Sequence, residues 1–502
     1  MKVSFLIPPA LDGKRAADRC YGCNYGIYFL PHLPTLYMAT VLQKNGFDVE
    51  INDFAAKKLA EKDFFDFISG DDSEIYVFYT VFLSESTDIL AKKNINATRK
   101  EAKFIFCGTQ PTWSPDVFID SDSSFVVRGE PEFILLDLVR RLKADRDIGD
   151  VDGVSYMEDG VIKHNKPGAP IKDLDCLPIP DRRLLDHSPY YNPKLSRTPH
   201  TAILTSRGCF GRCWFCVPNS LSFARELEYK RWHDEKPSPR LHSVERVVEE
   251  FEEIAELGFR SVSVIDDEFL WNDRRTVGIC DGIKDLDLEW FCLARPDMIT
   301  EKSVVALAEA GCKYIDLGVE SFNQEILSSI GKGIEVEDIS KAVSIIKKHG
   351  VKPKINVLLG ATPLETEGTI RDTIASVERL GVEYVLYDIA APFPGTDFYY
   401  AAKKNRWFTT EDNDYHPIDP LEESIISYPH LSKEKLEELV SYAYRRHYFN
   451  PRYLINQIGH VKSLGDFRNK TSAAIDLFNR NVLRRIGRGI YPLSGSVVSY
   501  EK

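Results

Sequence analysis

"SRGCFGRCWFC", residues 206 to 216, sets three cysteines into eight positions: Cys209, Cys213 and Cys216, spaced C-x3-C-x2-C. Structural zinc takes four ligands, and its cysteines usually come as two close pairs. Here the first spacing is wider than a tight pair and no fourth cysteine lies nearby. Thiolates also hold iron–sulfur clusters. Three of them on a four-iron cluster leave one iron with an open coordination position, as catalytic metal sites keep one position free. The apolar stretch "TAILTS" (201–206) leads straight into the triplet, so the loop belongs at the carboxyl end of a strand. Parallel barrels keep their reactive residues at those ends.

Outward from this loop the chain repeats one unit. "TAILTS", "SVSVID", "LEWFCLA", "KYIDLGV", "KINVLLG" and "EYVLYDIA" are six strand candidates. Amphipathic helices separate them. Val244, Val247, Val248, Phe251, Ile254 and Ala255 form one apolar stripe, and glycines at 258, 311, 350 and 381 supply helix stops. The reading is a partial (β/α)6 barrel over residues 196–410.

Residues 1–150 alternate in the same way, with strands in "KVSFLIPP", "IYVFYTVF", "KFIFCG" and "SFVVRGE". "LPTLYMATVLQKNG" and "EFILLDLVRRLKA" read as amphipathic helices, the second with a stripe of Phe133, Leu135, Leu136, Leu138, Val139 and Leu142. A five-stranded Rossmann-like or flavodoxin-like α/β domain is expected, binding ligands at the carboxyl ends of its parallel strands. Residues 151–195 hold a hairpin turning at Asp159-Gly160 and a proline-broken linker, "DLDCLPIPDRRLLD". Residues 411–502 read as a helical region. Ile475, Phe478, Val482 and Ile486 line one face of its last helix, and Arg480, Arg484, Arg485 and Arg488 crowd the other. Such a helix caps a barrel or lies on a membrane surface.

A net charge of −12 argues against a nucleic-acid binder, which needs a basic surface. The apolar runs fall well below the ~20 residues of a membrane span. Ten cysteines without a secretory signal point to a reducing, cytoplasmic compartment.

Cys209-x3-Cys213-x-Phe215-Cys216, with an aromatic before the last cysteine, resembles the radical SAM signature. The resemblance implies a [4Fe-4S] cluster whose open iron chelates S-adenosylmethionine. One electron then releases a 5′-deoxyadenosyl radical that attacks unactivated carbon. It continues through "VIDDEF", "ARPD", "GCKYIDLGVES", "NVLLGATPLET" and "PFPGT". By that likeness Phe215, Asp267, Glu268, Arg295, Glu320, Ser321, Gly360 and Thr366 are expected to contact S-adenosylmethionine. The leading domain is similar to those of cobalamin-binding radical SAM enzymes, including relatives of anaerobic magnesium-protoporphyrin monomethyl ester cyclase and hopanoid-tailoring proteins. Gly108, Thr109, Gly129, Glu130 and Glu132 are its matching positions for that domain's cobalamin loops.

One departure stands out. Other cobalamin proteins carry Asp-x-His-x-x-Gly after the first strand, whereas this chain has "IPPALDGKRAADRCYGCNYG" and no such histidine. Many radical SAM relatives also lack it, so cobalamin stays in the reading. Cys20 and Cys23 in that loop are read as ordered thiols, with a second cluster or a redox pair as the sharper alternative. His32 and the cysteines at 107, 280, 292 and 312 are read as packing residues.

The expected activity is modification of an unactivated carbon in a small molecule, drawing electrons from a flavodoxin or ferredoxin. C-methylation is favoured over ring formation or rearrangement on a hydrophobic or lipid-like substrate with peripheral membrane contact. A non-catalytic corrinoid or redox sensor is the rival from another class, and methylthiotransferases rank last.

Overall fold

The computed structural model describes residues 1–26, 28–410, 415, 423–450 and 453. Its first sheet is built from β1 (Lys2–Ile7), β2 (Asp48–Asp53), β3 (Ile75–Tyr79), β4 (Lys103–Cys107) and β5 (Ser124–Val127), all parallel, in the order β2-β1-β3-β4-β5. That is the flavodoxin-like order. β3 and β4 are buried along their lengths or nearly so, as strands covered on both faces must be. β2, "DVEIND", escapes a search for apolar runs: it is an edge strand in which only Ile51 and Asp53 are fully buried.

The hairpin of β6 (Val154–Glu158) and β7 (Val161–His164) turns at Asp159 and Gly160, both with positive φ. It pairs antiparallel with β5 and so extends the first sheet to seven strands.

The short β9 (Ser206–Arg207) and β10 (Arg240–Leu241) pair across the triplet segment. The second sheet holds β8 (His200–Ile203), β11 (Ser261–Val264), β12 (Glu289–Ala294), β13 (Cys312–Glu320), β14 (Lys352–Leu359) and β15 (Tyr384–Ile389). Each parallel strand is laid beside its predecessor, from β8 at one edge to β15 at the other. The β15 edge is covered by the helix Lys433–Tyr448. The Tyr444 hydroxyl accepts from Tyr387 N at 3.2 Å, and the Tyr448 hydroxyl accepts from Val385 N at 2.9 Å and donates to Val385 O at 2.6 Å. Unpaired backbone groups of an edge strand are thereby satisfied. The arginine-rich stretch with Ile475, Phe478, Val482 and Ile486 lies outside the described residues.

Two helices differ from expectation. The helix Leu33–Lys44 is buried on every side from Leu33 to Leu42, because it is packed against β2, the helix Pro131–Lys143 and the linker turn Arg182–Leu184. An all-round apolar helix belongs to the interior rather than to a surface. In the helix Pro131–Lys143 Phe133 is exposed, and the buried face carries Glu132 instead.

Glu132 is there to meet Arg207. This guanidinium, fully buried in β9, reaches Glu132 at 2.6 Å and Glu130 at 2.9 Å. Arg240 also pairs with Glu130, and Arg128 binds Glu228 at 3.0 Å. Arg182 of the linker contacts Glu250 at 2.7 Å and Ala202 O at 2.8 Å. Charges so buried persist only when paired, and here the pairs join the first sheet and linker to the second.

Candidate functional site

The cysteine loop starts at Gly208, whose φ of +89° suits glycine alone, and ends at Asn219, which caps the helix Ser220–His233. One carboxylate clamps both ends: Asp267, after β11, accepts from Gly208 N at 3.0 Å and Asn219 N at 2.6 Å. Burial pushes its carboxyl up to about 6, against the pull of those amides. Inside the loop, Gly211 N donates to Cys209 Sγ at 3.3 Å. A methyl on Gly211 would stand 3.5 Å from Cys209 Sγ, 3.9 Å from Cys213 Sγ and 3.2 Å from Arg295 Nη1, so the sulfurs and the guanidinium crowd one turn.

All three cysteines line a cavity of about 290 Å³ at the carboxyl end of the second sheet. Among the described residues no three histidine, cysteine or carboxylate side chains close round one point as a single ion requires. Three thiolates carried by one loop into one cavity suit the several irons of a cluster, each thiolate taking an iron of its own.

Of the expected S-adenosylmethionine contacts, Phe215, Asp267, Arg295 and Glu320 line this cavity. Arg295 is held by Asp297 at 3.0 and 3.1 Å and by Lys332 O at 2.8 Å, with its guanidinium 5.3 Å over the Phe210 ring. Glu320 sits at a positive φ of 65° where β13 shifts register, and pairs with Lys332 at 2.9 Å. Gly318 makes room for that pair, since a methyl there would meet Lys332 Nζ at 2.8 Å.

The other four do not reach the cavity. Glu268 is fully buried, and its oxygens accept from Leu270 N at 2.7 Å and Arg295 N at 2.8 Å. Burial raises its carboxyl to about 8. Ser321 is buried beside Thr373 at 3.3 Å. Gly360, at φ +75°, lets Leu436 of the C-terminal helix approach closely. Thr366 is exposed as the N-cap of the helix Glu367–Leu380. These four position strand ends and helix starts.

The opposite wall comes from the first domain. Residues 8–26, following β1, cross to the second sheet, and Tyr21, Cys23 and Asn24 face the cavity. Arg19 ties this loop to Asp88 at 2.7 and 2.8 Å and to Tyr79 O at 2.7 Å. Ser220 ties it to the barrel, donating to Cys20 O and Arg19 O at 2.7 Å each. His32 bonds Thr35 at 2.7 Å and Arg19 O at 3.1 Å and braces the same loop. Cys20 is buried 3.8 Å from Pro31 O, while burial pushes the Cys23 thiol up to about 12. Cys107, Cys280, Cys292 and Cys312 are buried, and Cys176 is exposed.

A second, smaller cavity of about 50 Å³ opens at the carboxyl edge of β3 and β4, lined by Lys14, Tyr25, Phe82, Gln110, Trp113, Pro394 and Tyr415 among others. Beside it Thr80 Oγ1, Thr109 Oγ1 and Gln110 Oε1 are buried with no hydrogen-bond partner among the described residues. Gly108 precedes Thr109 and Gln110 at φ +104°, where a methyl would stand 2.5 Å from Thr80 O. Gly129 and Glu130 behave differently. Gly129 N donates to Thr112 Oγ1 at 3.1 Å, and Glu130 is spent on Arg207, Arg240 and Ile171 N.

Lys332, Lys236, Asp316, Asn356 and Asp388 were not anticipated from the sequence, although all but Lys236 line the larger cavity. Lys332 had a signal: it lies between Gly331 and Gly333, both at positive φ.

The family model of the Radical SAM superfamily matches residues 203–377. The chain is 32% identical over 465 residues to an uncharacterized methyltransferase of Pyrococcus horikoshii, covering 91% of this chain and 95% of the relative. It is 26% identical over 344 residues to the anaerobic magnesium-protoporphyrin IX monomethyl ester cyclase of Rubrivivax gelatinosus, covering 66% of this chain and 57% of that one. Among solved structures it resembles the cobalamin-dependent S-adenosylmethionine radical enzyme OxsB with aqua-cobalamin and S-adenosylmethionine bound. The TM-score is 0.67 at 15% identity, over 96% of this chain and 72% of that one.

Proposed function

The chain belongs to the radical SAM superfamily, and on that premise we propose that it is a cobalamin-dependent C-methyltransferase acting on an unactivated carbon of a small molecule. The observation that carries the reading is the placement of the two cavities. Tyr21, Cys23, Asn24 and Phe393 wall the larger one, and their chain neighbours Tyr25 and Pro394 wall the smaller. Two short segments therefore separate the cysteine loop from the carboxyl edge of the first sheet, where open α/β sheets take their ligands.

Cys209, Cys213 and Cys216 would hold a [4Fe-4S] cluster with one iron free for S-adenosylmethionine. Arg295, Glu320, Asp267 and Phe215 would contact that molecule from the cavity wall. Thr80, Thr109 and Gln110 supply unpaired polar groups for cobalamin, with Phe82, Trp113 and Tyr415 as apolar surface beside them. The space there is smaller than a corrin ring, so the chemistry of the donors supports the reading, not the volume. When bound, the cluster with S-adenosylmethionine would supply radical chemistry at carbon and cobalamin a methyl donor. The chain's own residues hold those groups on either side of the 21–25 segment. The methyltransferase name of the Pyrococcus horikoshii relative supports methyl transfer. The cyclase relative supports the alternative, radical ring formation without it.

A flavodoxin or ferredoxin would serve as reductant. Ten free cysteines favour a reducing compartment. No helix among the described residues is long and apolar enough to cross a membrane. The lipid-like substrate and membrane contact rested on residues outside the described range and form no part of the proposal.

Anaerobic purification from cobalamin-fed cells is expected to yield about four irons and one cobalamin per chain. Four irons without cobalamin would overturn the methyl donor. S-adenosylhomocysteine formed beside 5′-deoxyadenosine supports methylation, and 5′-deoxyadenosine alone supports cyclisation. Thr109→Val removes one of the unpaired hydroxyls without changing shape. It is expected to weaken hydroxocobalamin binding about five- to tenfold in a spectrophotometric titration, and unchanged affinity would remove Thr109 from the site.

A further inference from the structure

Lys236 lies in the segment between the helix Ser220–His233 and β10, outside both cavities. Its ammonium donates to Gly211 O at 3.1 Å and pairs with Glu226 at 3.2 Å. Gly211 is the residue whose amide donates to Cys209 Sγ and whose position adjoins both Cys209 and Cys213 sulfurs. Glu226 is buried on the helix that begins where the cysteine loop ends. The Lys236 side chain is largely buried, and one residue, Gly211, links its ammonium to Cys209 Sγ. Water therefore screens its charge from the sulfurs only in part.

Arg225 approaches the start of the loop at Gly208, while Arg295 and Lys332 adjoin it from the cavity. Arg295 is paired with Asp297 and Lys332 with Glu320. Any change to them would disturb S-adenosylmethionine as well as the cluster. Lys236 touches the loop from outside the cavity, so its effect on the cluster is separable from substrate binding.

We propose that the Lys236–Glu226 pair sets the reduction potential of the cluster carried by the cysteine loop. The inference rests on the radical SAM reading of that loop. Reduction adds one negative charge to a cluster, and nearby charge is among the determinants of cluster potential. Lys236 favours the reduced form, and Glu226 moderates it by cancelling part of the cation's field. Lys236 is thus a tuning residue, not a contact to substrate.

The test is a dithionite redox titration of the reconstituted, cluster-bearing enzyme, followed by the electron paramagnetic resonance signal of the reduced cluster. Lys236→Gln keeps a donor for Gly211 O but removes the charge. It is expected to lower the reduced-to-oxidised ratio about tenfold at fixed potential, a negative shift of about 59 mV for one electron. Glu226→Gln is expected to shift the midpoint the other way, and Lys236→Arg to titrate near wild type. Iron content and S-adenosylmethionine affinity stay at wild-type values in all three. A purely structural role for the pair predicts lost iron with no shift in the cluster that remains. Should Lys236→Gln lose its cluster, the positive shift of Glu226→Gln decides alone. Wild-type midpoints in both variants overturn the inference. Absence of iron from the wild-type protein would instead overturn the reading beneath it.

Discussion

Cys213→Ala is expected to abolish 5′-deoxyadenosine formation and to leave the anaerobically reconstituted protein with little bound iron. Cys213 shares a turn with Cys209, both sulfurs lying beside Gly211, and its carbonyl accepts from Cys216 N at 3.1 Å. Removing the middle thiolate leaves two ligands, fewer than the three needed to hold a cube and still leave one iron open. The loop itself survives the change. Its ends are clamped by Asp267, and Trp214 is anchored by its ring N–H to Ala361 O at 2.8 Å. Circular dichroism should therefore match wild type while iron and turnover vanish together. Deoxyadenosine at the normal rate from this variant would sink the assignment of the loop.

The second large effect is on stability. Arg207→Met keeps the length of the side chain but strands Glu132, whose ion-pair partner among the described residues is Arg207, and weakens the hold on Glu130. Breaking a buried pair by deleting one partner costs about 3–5 kcal/mol, because a charge is left buried without compensation. That loss should appear as an earlier urea transition. Adding Glu132→Gln should recover part of it, since a neutral amide is cheaper to bury than a lone carboxylate. If the double variant is no more stable than the single one, the arginine acts through its contact with the Tyr37 ring, 5.6 Å away, and not through the carboxylates.

Much of this arrangement is legible in the sequence where one residue type answers one physical need. Three cysteines without a fourth fix the kind of metal centre, and the glycines at 258, 311 and 381 fall where helices stop. The hairpin follows from Asp159-Gly160 for the same reason. Legibility fails where tertiary contact overrides local pattern. "DVEIND" is too polar to stand out, yet pairing along β1 makes it a strand. Glu132 stands out by its likeness to a cobalamin-domain loop, but its pairing with Arg207 is not legible, because a helical stripe does not say that a distant arginine will ask for a charge on the buried face. Glu268, Ser321, Gly360 and Thr366 belong to recognisable motifs, but folding spends them on backbone amides, helix caps and close packing. Lys236 has no local signal. Its importance comes from Gly211 and Glu226, which only the folded chain brings to it.

The crossing of residues 8–26 from the first domain to the cavity has a consequence for how such enzymes diversify. The cysteine loop and its supports are encoded after residue 200, while Tyr21, Cys23 and Asn24 are encoded at the start of the chain. On the proposed function, the wall that faces substrate and the loop that carries the cluster are distant in sequence, joined in the fold through Ser220, so one short segment could be exchanged while every cluster ligand is kept. A graft of that segment between relatives should carry substrate preference with it.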